Sequence, residues 1–186
     1  MMMGTEMQRS ARDIAAADRA QRLLQAGRHA DALRVAQDVL SQDPQQIGAL
    51  ETMAKALWHL GRFEELVRTL RRLVVLNPYE PGYHSLLGTV YQSMGQCGEA
   101  VEAFSRCATG NGTEGEMARE SIAALQEWQG GLVAELLTSD PVFRAHYAQN
   151  PDLACRQRGF AFSERNSSAE NWLPEQAVVS LHNRPS

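Results

Sequence analysis

Any chemistry in this chain would fall to five histidines, three cysteines and a scatter of carboxylates. His29, His59, His84, His146 and His182 are dispersed, and none stands at metal-ligand spacing from another. Cys97, Cys107 and Cys155 are too few and too scattered for a disulfide framework or a zinc site. A thiol nucleophile needs a base beside it, and nothing in the sequence pairs one with Cys155. Gly110, Gly112 and Gly115 mark a turn without the Lys-Ser/Thr that a phosphate-cradling loop requires. Glu64, Glu65 and the other carboxylates read as solvated helix faces. No cofactor, metal or catalytic constellation is expected, so the chain reads as non-enzymatic.

Composition bounds the remaining classes. The 186 residues carry 18 Lys+Arg against 22 Asp+Glu, a net charge of −4, with 44% apolar and 6% aromatic residues. Such a balance argues against a general nucleic-acid or anionic-membrane binder. No run approaches the ~18 consecutive apolar residues of a spanning helix. Met1 to Ser10 lacks the apolar core of a secretory signal. A cytoplasmic globular protein is the expectation.

Self-similarity then organises the chain. Gly27, Gly61 and Gly95 recur every 34 residues, each opening a second helix, and Pro44 and Pro78 keep the same period. Three units follow, 13–46, 47–80 and 81–114, after a lead-in over 1–12. Each reads as two helices joined at the glycine, which supplies the backbone freedom of a tight turn. In the third unit Leu86, Leu87, Val90, Tyr91 and Met94 mark one helical face, and Ala100, Val101, Phe104 and Cys107 mark the next. Small residues recur where paired helices approach: Ala20 with Ala32 and Gly88 with Ala100, while Ala54 faces the larger Leu66.

These residues resemble the tetratricopeptide repeat pattern. His84-x2-Leu87-Gly88-x2-Tyr91 followed by Ala100-x3-Phe104 reproduces it, with His at the first position in place of Trp. Leu50-x2-Met53-Ala54-x2-Leu57 with Leu66-x3-Leu70, and Ala16-x2-Arg19-Ala20-x2-Leu23 with Ala32-x3-Ala36, are looser copies. The resemblance implies an all-α, right-handed α-solenoid of three helix-turn-helix repeats, with a capping helix, short C-terminal helices and an irregular tail.

It also implies that the first helices line a concave groove taking an extended peptide or a helix. Carried over by position, the partner-binding residues are Gln21 and Leu24, then Glu51, Lys55, Trp58 and His59, then Thr89 and Gln92. Trp58 is a large ring that the repeat core does not claim, which suits a binding anchor. Packing on the third unit or under the C-terminal segment is equally open to it. Family members that clamp a terminal carboxylate carry a Lys/Asn/Arg set, whereas the matching positions here include Ala17, Gln21 and Gly82.

Residues 115–159 are expected to hold capping and accessory helices. Met117, Ser121, Leu125 and Trp128 recur along one stripe of a helix over 116–128. Gly130-Gly131 is expected to interrupt it before Leu132, Val133, Leu136 and Leu137. Ser139 or Asp140 can cap a helix that has Pro141 at its first position, and Asn150-Pro151 punctuates again. The segment 160–186 turns polar and reads as a flexible or docked tail. Trp172, Leu173, Val178, Val179 and Leu181 are its apolar residues, expected to serve in docking.

The leading expectation is therefore an adaptor or scaffold that binds another protein or peptide, without direct nucleic-acid contact or membrane insertion. Small cytoplasmic chaperones of bacterial secretion systems look similar in size, repeat number and acidity, which makes a chaperone for a secreted client the alternative. A further alternative is a modification substrate, because 132–159 looks similar to leader segments of ribosomally made, modified peptides, with the tail as the modified part. The repeats also resemble the activation domains of some bacterial transcription regulators. Oligomeric state is open.

Overall fold

The structure is a computed structural model, and it describes residues 16, 18–110 and 112–162. Among these residues the regular elements are all helices: α1 over 18–25, α2 (His29–Gln42), α3 (Ile47–His59), α4 (Phe63–Leu76), α5 (Pro81–Ser93), α6 (Cys97–Cys107), α7 (Thr113–Ser139), α8 (Pro141–Gln149) and α9 (Pro151–Gln157). Three helix pairs, α1/α2, α3/α4 and α5/α6, realise the three repeats.

One local device makes all three hairpins. Gly27, Gly61 and Gly95 have φ of 71°, 67° and 72°, the left-handed region that side chains oppose. The amide after each glycine then reaches back into the finished helix: Arg28 N–H to the Leu23 carbonyl, Arg62 to Leu57 and Gln96 to Tyr91. This is the glycine-terminated helix end, which satisfies carbonyls that would otherwise lack partners. The second helices of the first two pairs open alike. The Arg28 guanidinium folds onto Asp31 and that of Arg62 onto Glu65. The hydrogen bond from Arg28 is the main reason the Asp31 carboxyl lies below its ordinary range. Being exposed, such pairs define the turn more than they stabilise the fold.

The chain divides into two units, one ending at Tyr83 and one beginning at His84. In the first, Leu50, Leu57, Leu66, Leu70 and Leu73 are almost completely buried, with Ala20, Ala32, Ala49 and Ala56 where backbones come close. Arg72 donates to the Pro44 carbonyl, tying α4 to the turn that precedes α3.

In the second unit α5 and α6 meet at Gly88. A Cβ built there would stand 2.6 Å from the Phe104 ring, so only glycine admits that ring. α7 packs on α6, and it buries Ala118, Leu125, Gln126, Gln129 and Val133 along one side. Two expectations about this helix are corrected. Gly130 and Gly131 do not interrupt it, because neither leaves the helical φ range and α7 runs on to Ser139. The stripe drawn through Met117, Ser121, Leu125 and Trp128 is not the packed face. Leu125 is buried, but Met117 and Trp128 point outward, since the buried row is centred about a third of a turn away.

Beyond α7 the chain folds back. Asp140 caps α8 by accepting from the Val142 and Phe143 amides, and Asn150 caps α9 by accepting from Leu153. Pro141 and Pro151 fill the first helical positions, where no amide is needed. Val133, Leu137, Phe143, Tyr147, Ala154 and Cys155 form a terminal core, with Phe160 and Phe162 packed against it. A glycine end recurs here: Gly159 has φ of 81°, and Phe160 N–H bonds the Cys155 carbonyl.

Candidate functional site

In the first unit, packing decides which face of α3 is left for a partner. Ala49, Leu50, Thr52, Ala54, Ala56 and Leu57 are turned inward. Of the positions left wholly or partly at the surface, Gly48, Glu51, Lys55, Trp58 and His59 form one stripe, with exposed Ile47 at its edge and half-buried Met53 on another side. Four of these are residues that the repeat pattern assigns to partner binding, and the structure gives each a different surrounding.

Glu51 is occupied within its own unit. The Tyr83 hydroxyl donates to its carboxylate at 2.6 Å. Burial, and then this bond, push the Tyr83 phenol well above its ordinary value, so it stays protonated as the donor. Lys55 is exposed, one turn from Glu51, and forms no ion pair with any described residue. Trp58 is half-buried, with the Phe63 ring 5.9 Å away at 60°, an edge-to-face contact inside the same repeat. One side of the indole is thereby fixed by the next helix.

His59 stacks on His29 at 4.2 Å between centroids and 10° between planes. The α3 terminus is thus joined to the start of α2, a contact with no signal in residue spacing. On α1, Gln21 is exposed and Leu24 half-buried.

The corresponding positions on α5 belong to the second unit. Gln92 is exposed, while Thr89 turns its hydroxyl to the Ser85 carbonyl at 3.1 Å. The tail residues Trp172, Leu173, Val178, Val179 and Leu181 lie outside the described residues.

The second unit holds a polar contact that sequence reasoning missed. Gln129 is completely buried on α7. Its amide donates to the Ala161 carbonyl at 2.9 Å and accepts from the Ala161 N–H at 2.7 Å. A side-chain amide thus imitates a neighbouring strand and pins residues 160–162. Gln129 stands 34 residues after Gly95, where a fourth hairpin glycine would fall. That departure from the period was the available signal. Beside the pinned segment a cleft of about 880 Å³ opens between α6 and α7, lined by Val101, Ser105, Arg119, Ile122, Ala161 and Phe162 among others.

All three cysteines are buried and unpaired. Burial, reinforced by Asp152, pushes the Cys155 thiol from an ordinary 9.0 up to about 11. At neutral pH the folded chain therefore offers about a hundredfold less thiolate at this position than the unfolded chain does. Alkylation of native protein at pH 8 is expected to leave Cys155 unmodified on a timescale that labels it fully in urea. Mass spectrometry of the peptide reads the difference, and equal rates would contradict the burial. The sign for stability follows. The unfolded thiol ionises first, so the contribution of Cys155 is complete below about pH 9 and is lost as pH rises through about 11. Among the described residues no group of three or more His, Cys, Asp or Glu could hold a metal ion. No described helix is long and apolar enough to cross a membrane.

Paired antiparallel helices repeating at a fixed period, with glycine hairpins and small residues at each crossing, define a helical repeat protein of the solenoid class. Residues 23–90 match the family model of the tetratricopeptide repeat, so this stretch carries tetratricopeptide repeats. No curated protein sequence matches the chain. Among solved structures it is similar to MamA, at 17% identity over 91% of each chain with a TM-score of 0.56. It is also similar to the first repeat domain of Spaghetti (RPAP3) bound to the HSP90 peptide SRMEEVD, at 18% identity and TM-score 0.54, covering 61% of this chain and 92% of that one. A third is the Yersinia enterocolitica type III secretion translocator chaperone SycD, at 17% identity and TM-score 0.54, covering 62% and 89%. At these identities the likeness concerns the fold.

Proposed function

We propose that the chain is a non-enzymatic adaptor that binds a peptide or helix of another protein on the open face of α3. The observation that carries this reading is the contrast along that face. Glu51 is satisfied by Tyr83, whereas Lys55, one turn on, has no described counter-ion and stands beside an indole braced on one side by Phe63. A held aromatic ring loses little freedom on binding, and an adjacent unpaired ammonium can accept a carboxylate or a carbonyl. Gln21 and Leu24 on α1 extend the same set of positions. The peptide-bound and chaperone relatives of the same fold support a protein ligand in general terms. The Lys/Asn/Arg carboxylate clamp is not matched here, so the ligand is read through Trp58 and Lys55 instead.

Affinity capture from native extract tests this, comparing wild type with Trp58→Ala and with Lys55→Glu. Both variants substitute surface or half-exposed positions and are expected to keep wild-type helicity. A central aromatic anchor is worth about 2 kcal/mol, so Trp58→Ala should weaken retention of the partner by roughly thirtyfold. Partners retained unchanged by both folded variants would refute the α3 face.

A further inference from the structure

Two exposed faces outside the α3 site, one in each unit, are opposite in charge. On α4, packing buries Leu66, Val67, Thr69, Leu70 and Leu73. The outward row is Arg68, Arg71, Arg72 and Val75, with Tyr79 just beyond the helix. Val75 is 80% exposed and Tyr79 93%. Arg72 is held by the neutral Pro44 carbonyl, which leaves its charge uncompensated. Glu64 begins the row and Glu65 follows it, but from Arg68 to Leu76 the helix carries three arginines and no acid.

On α7 the outward row is Met117, Ala124 and Trp128, edged by Glu116, Glu120 and Glu127. Met117 is 62% exposed and Trp128 56%. None of the three carboxylates forms an ion pair with a described residue. The one basic residue of α7, Arg119, has its guanidinium on the Ala108 and Gly110 carbonyls. Met117 to Trp128 spans about 16 Å of helix, and Arg68 to Val75 about 10 Å before Tyr79 prolongs it. Each face is therefore an apolar ridge with charges one helical turn apart, arginine on one and glutamate on the other.

We infer that the chain associates with a second copy of itself, head to tail, through the α4 face of one molecule and the α7 face of the next. Charge complementarity selects this pairing. Two α7 faces would confront glutamate with glutamate, and two α4 faces arginine with arginine, both repulsive. Only the mixed pairing places Arg68 and Arg72 against Glu116 and Glu120 while covering Trp128, Met117, Val75 and Tyr79. Such a contact is heterologous. A single such contact leaves the pair one unused α4 face and one unused α7 face, where further copies can add.

Sedimentation velocity of the full chain over a wide concentration range tests the inference. At low ionic strength the average mass is expected to rise with concentration above that of the monomer, and to fall back toward it in high salt. Arg68→Glu with Arg72→Glu, or Glu116→Arg with Glu120→Arg, should each weaken association about tenfold or more by setting like charges face to face. All four substitutions in one chain should restore it, because the complementarity is then reversed on both sides. Circular dichroism verifies that each variant is folded. A wild type that stays monomeric at every concentration overturns the inference. So does assembly that ignores the paired reversals or is not restored by their combination. Binding at the α3 face is unaffected by either result, since Lys55 and Trp58 are untouched.

Discussion

Phe104→Ala is expected to destabilise the protein by about 3–5 kcal/mol, the usual cost of removing a buried phenyl ring. The ring lies 2% exposed on α6, and Gly88 on α5 is the position that admits it. Gly88→Ala should also destabilise. A new methyl would meet the ring at 2.6 Å, and overpacking of this kind costs about 1–3 kcal/mol. Relief from the poor helix propensity of glycine returns about 0.5–1 kcal/mol of that. The informative variant is the double one. With the ring gone, alanine at position 88 fills space instead of colliding, so the combined loss should be clearly smaller than the sum. Urea denaturation of the four proteins measures it, with midpoints moving at constant slope. Additive losses would mean that the two helices do not meet at this pair.

Gln129→Met should have the largest effect at the C-terminal end. Methionine keeps the volume of the side chain but makes neither bond to Ala161, leaving an N–H and a carbonyl without partners. A buried group left so costs about 1–3 kcal/mol. Residues 160–162 can instead swing out to water, so the loss should be concentrated there. Faster hydrogen exchange at Ala161 and faster chymotryptic cleavage after Phe160 and Phe162 are expected, with α1 to α5 unchanged. Gln129→Glu separates the two bonds, because a carboxylate can still accept from the Ala161 N–H but repels its carbonyl. It should fall between wild type and methionine. Wild-type exchange at Ala161 in the methionine variant would show that the amide does not hold the segment.

Comparing these positions shows what was legible in the chain. Gly88, Ala100 and Phe104 announce their contact through the repeat, since each occupies a recurring slot and the pattern fixes which helix faces which. The hairpin glycines are equally legible, because a left-handed turn narrows the choice of residue to one. Asp140-Pro141 and Asn150-Pro151 disclose the starts of α8 and α9, as a capping side chain and a proline both act within a few residues. The course of α7 was not legible. Paired glycines permit a break but do not enforce one, and burial of Gln129 and Val133 on either side favours a continuous helix.

The surroundings of the interaction face divide in the same way. Local rules named Lys55 and Trp58 as residues outside the repeat core, because a helix packed between its neighbours leaves a row of positions over. Whether those residues were free depended on contacts distant in sequence: Tyr83 reaching Glu51, Phe63 bracing Trp58, and His29 stacking on His59. By itself the sequence determined the repeat, its turns and the identity of the surface rows, all set by interactions within a few residues or at one fixed period. Only the tertiary structure decided which of those rows were already satisfied, because hydrogen bonds and ring contacts between helices follow no period.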